Sequence, residues 1–243
     1  MIYDEPRFLS GGDRAVFIEF GDVIDPEANQ RVIALKLAVE TARIRGVVEL
    51  VPTYRSLLVY FEPLQISASE LRETICRLHH SAAVHEPPRR KLVKIPVAYG
   101  GEFGPDLKVV AKHNNLRAEE VIRIHCRARY LIYMLGFMPG FPYLGGLSPE
   151  IATPRKTTPR LKTPAGSVGI AGNQTGIYPI ESPGGWQIIG RTPLKLFEPS
   201  REPPALLQAG DYLTFVRITP QEFTAIEKGI RNGTYKLNSK LIE

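Results

Sequence analysis

Cysteine is scarce in this chain: Cys76 and Cys126 are the only two, far apart and outside any CxxC spacing. A disulfide framework or a thiolate zinc site is therefore not expected, and a reducing cytoplasm fits the composition. Long apolar runs are missing as well. No stretch approaches the roughly 20 residues that a membrane-spanning helix requires. The opening MIYDEPRFLSGGDR places acids where a secretory signal would place an apolar segment, so no such signal is expected. The phosphate-cradling pattern GxxxxGK[ST] is absent, as are GxGxxG and HExxH. ATP bound by a Walker-type loop of this chain is thus excluded, and no metal site is evident. Ala165-Gly166-Ser167-Val168-Gly169 approaches the nucleophile-elbow pattern. However, alanine stands where that motif has glycine, and no strand-to-helix junction surrounds it, so a tight turn is the reading taken.

What is present is the composition of a folded soluble protein: 243 residues, 43% hydrophobic and 23% charged. Lysine and arginine outnumber the acids 31 to 25. They are dispersed along the chain and match no nucleic-acid module, so neither nucleic acid nor membrane is expected as a partner. The densest basic group is Arg155, Lys156, Arg160 and Lys162, broken by threonine and proline. Two readings stand for it: a solvated loop, or a site for a small anion or acidic surface.

The first part of the chain reads as a small α+β domain, residues 1–88. A short apolar strand is expected at 15–20. A helix follows from Asp25-Pro26 to Gly46, with Val32, Leu35, Val39 and Ala42 on one stripe. Strands at 47–51 and 57–61 flank a turn at 52–54. A second helix opens on the capping box Ser67-Ala68-Ser69-Glu70 and buries Leu71, Ile75 and Leu78. A proline-bearing linker at 84–90 leads into a second domain, residues 89–243, which begins with a strand at 92–99. Helices at 105–114 and 118–127 and a strand at 130–135 come next. Glycine and proline then punctuate the chain from 136 to 190, with short apolar pieces between them. That pattern predicts a mainly-β barrel with structured loops and a closing helix after Thr219.

Chemistry-bearing residues concentrate in this second half. His125 falls near a helix C-terminus, a place that favours an imidazolium able to hold an anion or act as an acid; a buried structural histidine is the competing reading. The loop 136–147, GFMPGFPYLGGL, carries Phe141 in rigid proline-glycine framing and either walls a cleft or plugs the core. Between 153 and 186, Arg160, Gln174, Tyr178, Glu181 and Ser182 alternate with stiff punctuation, and Arg191 follows. Guanidinium groups fit carboxylate or phosphate, and an amide reads an amide. Glu181 is either a general base or a partner of Arg160. Arg160 is expected to be exposed, so Arg160→Ala should harm turnover far more than stability.

GEFGPDL at 101–107, His125 before a strand, GFMPGFPYLGGL, TPAGSVGIAGNQTGIYPIESPGGW and IIGRTPLKLF together resemble one family. It comprises the B-type chain of 5-oxoprolinase, allophanate hydrolase subunit 1 and the Kip-type sporulation-kinase inhibitors, with the matching part of the urea amidolyase carboxyltransferase region (subdomains C and D). The resemblance covers nearly the whole chain and is strongest over 92–215. It implies an α+β N-terminal domain followed by a cyclophilin-like β-barrel domain. It also implies a component of an ATP-dependent 5-oxoprolinase complex that opens 5-oxoproline to glutamate. Implied partners are a larger C-type chain with carboxyltransferase subdomains A and B, and an A-type chain; ATP belongs to the assembled complex. An allophanate or urea substrate, or inhibition of a sporulation histidine kinase, are the alternatives the same resemblance carries. By the resemblance, His125, Glu181 and Ser182 are candidate catalytic residues. Phe141, Arg160, Gln174, Tyr178 and Arg191 are candidate contacts for a lactam or amide substrate.

Overall fold

The structure, a computed structural model, describes residues 1–82 and 90–242 and divides into two compact units, Met1–Arg89 and Arg90–Glu243. The linker expected at 84–90 lies outside the described residues except for Arg90, which opens a strand.

In the first unit, strands β1 (Ile2–Ser10), β2 (Ala15–Gly21), β3 (Val47–Pro52) and β4 (Ser56–Phe61) form one antiparallel sheet in the order β1-β2-β4-β3. Alternate residues of the central strands, Val16, Ile18 and Phe20 with Leu57, Val59 and Phe61, point to one face. Helices α1 (Pro26–Ala42) and α2 (Ala68–Ala82) cover that face with Val32, Leu35 and Val39, and with Leu71 and Ile75. Each such side chain contributes about 1.5–3 kcal/mol by leaving water. The Asp25 carboxylate accepts the Glu27 N–H at 2.8 Å and starts α1. The helix ends earlier than Gly46: Arg43 takes the left-handed conformation, φ 45°. The box at Ser67 and Glu70 forms as the spacing predicts.

The second unit is a barrel. Its strands are β5 (Arg90–Tyr99), β6 (Tyr130–Leu135), β7 (Pro142–Gly145), β9 (Ser167–Ala171), β10 (Gln174–Ile177), β12 (Gln187–Arg191) and β13 (Tyr212–Ile218). The order β12-β9-β10-β7-β6-β13-β5 closes when β5 pairs back onto β12, with Gly190 opposite Tyr99. Only β13 and β5 run parallel; the final strand β14 (Ser239–Ile242) adds to β5 outside the ring. Ile95, Val97, Ile132, Val168, Ile170, Ile177, Ile189, Leu213 and Phe215 fill the interior. Helices α3 (Leu107–His113) and α4 (Ala118–Arg127) pack into the same core through Leu107, Val110, Val121 and Ile122. Helix α5 (Pro220–Arg231) starts at the Thr219–Glu222 capping box. Between β7 and β12 the chain leaves the ring to make a separate two-stranded ribbon, β8 (Arg160–Thr163) against β11 (Ser182–Gly184). This ribbon carries much of the motif-rich sequence.

Candidate functional site

The ribbon is tied to the barrel through a carboxylate. Gly104 lets the 100–106 loop close on β12, since a Cβ there would stand 1.9 Å from the Ile189 carbonyl oxygen. The next turn delivers Asp106, whose N–H donates to the Ile188 carbonyl and whose Oδ2 accepts the Ile188 N–H at 2.7 Å. Its other oxygen accepts from Arg160 Nη2 at 2.6 Å and faces Lys156 Nζ at 3.6 Å. The Asp106 side chain is 5% exposed and that of Arg160 24%. Charge-assisted hydrogen bonds of this length are roughly twice as strong as neutral ones. Arg160 also reaches the Trp186 carbonyl at 3.4 Å, and the Lys156 N–H donates to the Gly185 carbonyl at 2.7 Å.

This corrects the expectation that Arg160 is a free, exposed guanidinium. It is a partner of a buried acid, so Arg160→Ala leaves Asp106 with Lys156 as its remaining cation and damages folding as well as any binding. Asp106 itself was not legible as a site residue. The available signal was an acid held inside the glycine-anchored GEFGPDL segment.

Beside this node lies an aromatic cluster. Phe141 meets Tyr143, Tyr178 and Trp186 edge-on, with ring centroids 5.2, 5.8 and 5.7 Å away. Phe141 is buried at the centre of this cluster. Burial pushes the Tyr178 phenol up, opposed by the Trp186 backbone N–H and the charges of Arg155 and Arg160. A side chain at Gly184 would stand 2.5 Å from Tyr178 Oη and 2.8 Å from Thr163 Oγ1, so the ribbon passes this phenol only as bare backbone. Opposite each other across the ribbon are Thr163 and Ser182. Both hydroxyl oxygens are sealed from solvent and have no hydrogen-bond partner. Gln187 Oε1 shares that condition, while its Nε2 donates to the Pro154 carbonyl at 3.0 Å.

His125 belongs to a different environment. It is fully buried, stacked on Phe215 at 4.3 Å, with Tyr130 5.5 Å away. Thr175 donates its proton to the Gly169 carbonyl, so its oxygen accepts from His125 Nε2–H at 2.9 Å. His125 Nδ1 then accepts from the Tyr99 hydroxyl at 2.8 Å. Burial pushes the imidazole down to about 3, so the ring is neutral. The imidazolium expected at a helix C-terminus is overturned, because loss of hydration outweighs the favourable helix end. Both ring nitrogens are hydrogen-bonded inside the core.

The remaining candidates separate. Glu181 is 57% exposed and pairs with Lys162 at 3.5 Å, not with Arg160. Gln174 is half-buried at the start of β10, two residues from Gly176 on the same strand face. Arg191 sits at the far end of β12, its Nε donating to the Ala165 carbonyl at 3.0 Å. Ser182 Oγ has no hydrogen-bond partner in this structure, a base included. Ser167 is buried in β9, and its N–H closes a turn to the Pro164 carbonyl. Of the expected site residues the fold therefore gathers Arg160, Tyr178 and Ser182, over Phe141, and adds Asp106, Thr163 and Trp186. Among the described residues no group of His, Cys, Asp and Glu is arranged to hold a metal ion, and no helix is long and apolar enough to cross a membrane.

Residues 6–207 match the model of the carboxyltransferase domain, subdomain C and D. The chain is 50% identical over 228 residues to the B-type chain of 5-oxoprolinase from Bacillus subtilis, covering 89% of this chain and 95% of that protein. It is 42% identical over 205 residues to the protein of the same name from Escherichia coli O157:H7, covering 84% and 93%. Among solved structures it superposes on TTHA0988 with a TM-score of 0.76 at 37% identity, covering 84% of this chain and 40% of that longer one. The K. lactis urea amidolyase shares the fold, with a TM-score of 0.75 at 24% identity, over 98% of this chain and 16% of that one.

Proposed function

The chain belongs to the carboxyltransferase subdomain C and D family, as a relative of the B-type chain of 5-oxoprolinase, and from that premise we propose that it is the B-type component of an ATP-dependent 5-oxoprolinase. The observation that carries this reading is 50% identity sustained over 95% of a protein of that name. The assembled enzyme opens the lactam of 5-oxoproline to glutamate. It is completed in the cytoplasm by a larger C-type chain with carboxyltransferase subdomains A and B and by an A-type chain. ATP is bound by the assembly, since the phosphate-cradling GxxxxGK[ST] loop does not occur in this sequence.

Within that reaction this chain binds and orients rather than attacks. The ribbon region offers a basic surround from Arg155, Lys156 and Arg160, an aromatic floor and unsatisfied hydroxyls. Those groups suit a small polar ring bearing a carboxylate and an amide. Positioning of this kind lowers the barrier by holding the reacting bond in place. The proton handling first sought in His125 falls to the partner chains, because that imidazole is neutral and enclosed.

The test is reconstitution: the chain is purified with both partners and glutamate released from 5-oxoproline is measured with and without ATP. ATP-dependent release that vanishes when this chain is withheld supports the reading. A complete complex that leaves 5-oxoproline intact, or that consumes allophanate instead, sinks it.

A further inference from the structure

Two hydroxyls sealed without partners are unusual in a folded interior, where buried polar atoms are almost always paired. Thr163 Oγ1 and Ser182 Oγ are such a pair, and they face each other across the two strands of the ribbon. Directly opposed residues in a ladder have Cβ atoms about 4.5–5.5 Å apart. One acceptor oxygen between them reaches both hydroxyls at ordinary hydrogen-bond length. Gly184 lies two residues beyond Ser182, and a Cβ there would stand 2.8 Å from Thr163 Oγ1 and 2.5 Å from Tyr178 Oη, so with the ribbon down these hydroxyls are packed against bare backbone. The nearby charge is positive: Arg155, Lys156 and Arg160 stand against Asp106.

The geometry points to a small-carboxylate site beneath the β8–β11 ribbon, in which one ligand oxygen accepts the protons of Thr163 and Ser182 and the basic surround supplies the counter-charge. A neutral carbonyl would fit the two donors but would leave the surplus positive charge unanswered. Entry requires the ribbon to lift, because both oxygens are covered in this structure. The ribbon is suited to that movement: it is two-stranded, it pairs with no barrel strand, and its Leu161 is 88% exposed. Short two-stranded elements are marginally stable alone, and the Arg160–Asp106 bond is a fastening that can be remade on closure. Only the identification of the ligand as 5-oxoproline itself rests on the ring-opening reading; a carboxylate site stands in a chain that turns over nothing.

Trp186 is the only tryptophan of the chain and adjoins Tyr178, so its emission reports on this region. The full chain is titrated with 5-oxoproline, with acetate, and with 2-pyrrolidinone, the same lactam lacking the carboxylate. Saturable change is expected with 5-oxoproline, and about tenfold weaker binding with 2-pyrrolidinone. Thr163→Val and Ser182→Ala should each weaken 5-oxoproline about tenfold, with Thr163→Ser restoring it. In the ligand-free chain Thr163→Val should not lower the melting temperature, since it removes a hydroxyl that nothing satisfies. Equal binding of the two lactams, unchanged binding in both variants, or no response to any carboxylate overturns the site. A Thr163→Val chain that melts several degrees early does the same, because the hydroxyl is then structural. Binding that survives while the reconstituted complex releases no glutamate removes the ring-opening reading and leaves the site intact.

Discussion

His125 and the Asp106–ribbon region are two polar insertions in one apolar barrel, and they are finished differently. Around His125 every hydrogen finds an acceptor: Tyr99 donates to Nδ1, Nε2 to Thr175, and Thr175 to Gly169. Nothing is left over, and the imidazole is held neutral by burial. In the ribbon region Asp106 is over-supplied with cations, while Thr163, Ser182 and Gln187 keep atoms with no partner. The difference teaches where to look for function. A satisfied network rigidifies a core, whereas an incomplete one calls for an explanation of its unpaired atoms.

The comparison can be broken most forcefully at Asp106. Asp106→Ala strands Arg160, Lys156 and the Ile188 N–H together, and breaking a buried pair in this way costs about 4 kcal/mol. Urea unfolding should show that loss, while Asp106→Asn, which keeps acceptors for the backbone and Arg160, should lose less. A variant as stable as the parent would mean that the ribbon is not fastened through this carboxylate.

Next comes acid sensitivity. The unfolded imidazole takes a proton near pH 6.5 and the folded one near pH 3. Between those values the unfolded state binds more protons, so the stabilisation is complete above pH 6.5 and falls as pH drops, by about 1.4 kcal/mol per unit from this residue. His125→Gln should flatten the unfolding free energy over that window. Equal slopes would show that the ring is already charged or solvated in the fold.

The smallest effect belongs to Glu181. As an exposed partner of Lys162 it should change stability by under about 0.5 kcal/mol when replaced by glutamine, and should leave turnover of the complex unaltered. A large loss of turnover would restore Glu181 as a base and move the site outward.

Much of the scaffold was written locally. The stripe Val32, Leu35, Val39, the box Ser67–Glu70 and the barrel segments at 92–99, 130–135 and 212–216 all follow from periodicity and caps. Strand β1 escaped because IYDEPRFLS alternates poorly; as an edge strand it needs few apolar residues, and its register shifts across Pro6. Strand β14 escaped for the same reason.

The site was legible in part. Arg160, Tyr178 and Ser182 stand together because the 153–186 segment is stiff. What local sequence does not encode is the acid 54 positions away from Arg160, or the ribbon register that sets Thr163 opposite Ser182. His125 misled because its place on the helix argued for a cation. Phe215 and Tyr130, which enclose it, come from strands β13 and β6.

The most direct measurement is 5-oxoproline-dependent ATP hydrolysis by the reconstituted complex, carrying His125→Gln or Ser182→Ala in this chain and corrected for the folded fraction. The account predicts near-parental kcat for His125→Gln and a KM raised about tenfold for Ser182→Ala. A complex silenced by His125→Gln yet indifferent to Ser182→Ala would contradict it, and would put the chemistry back in the barrel interior.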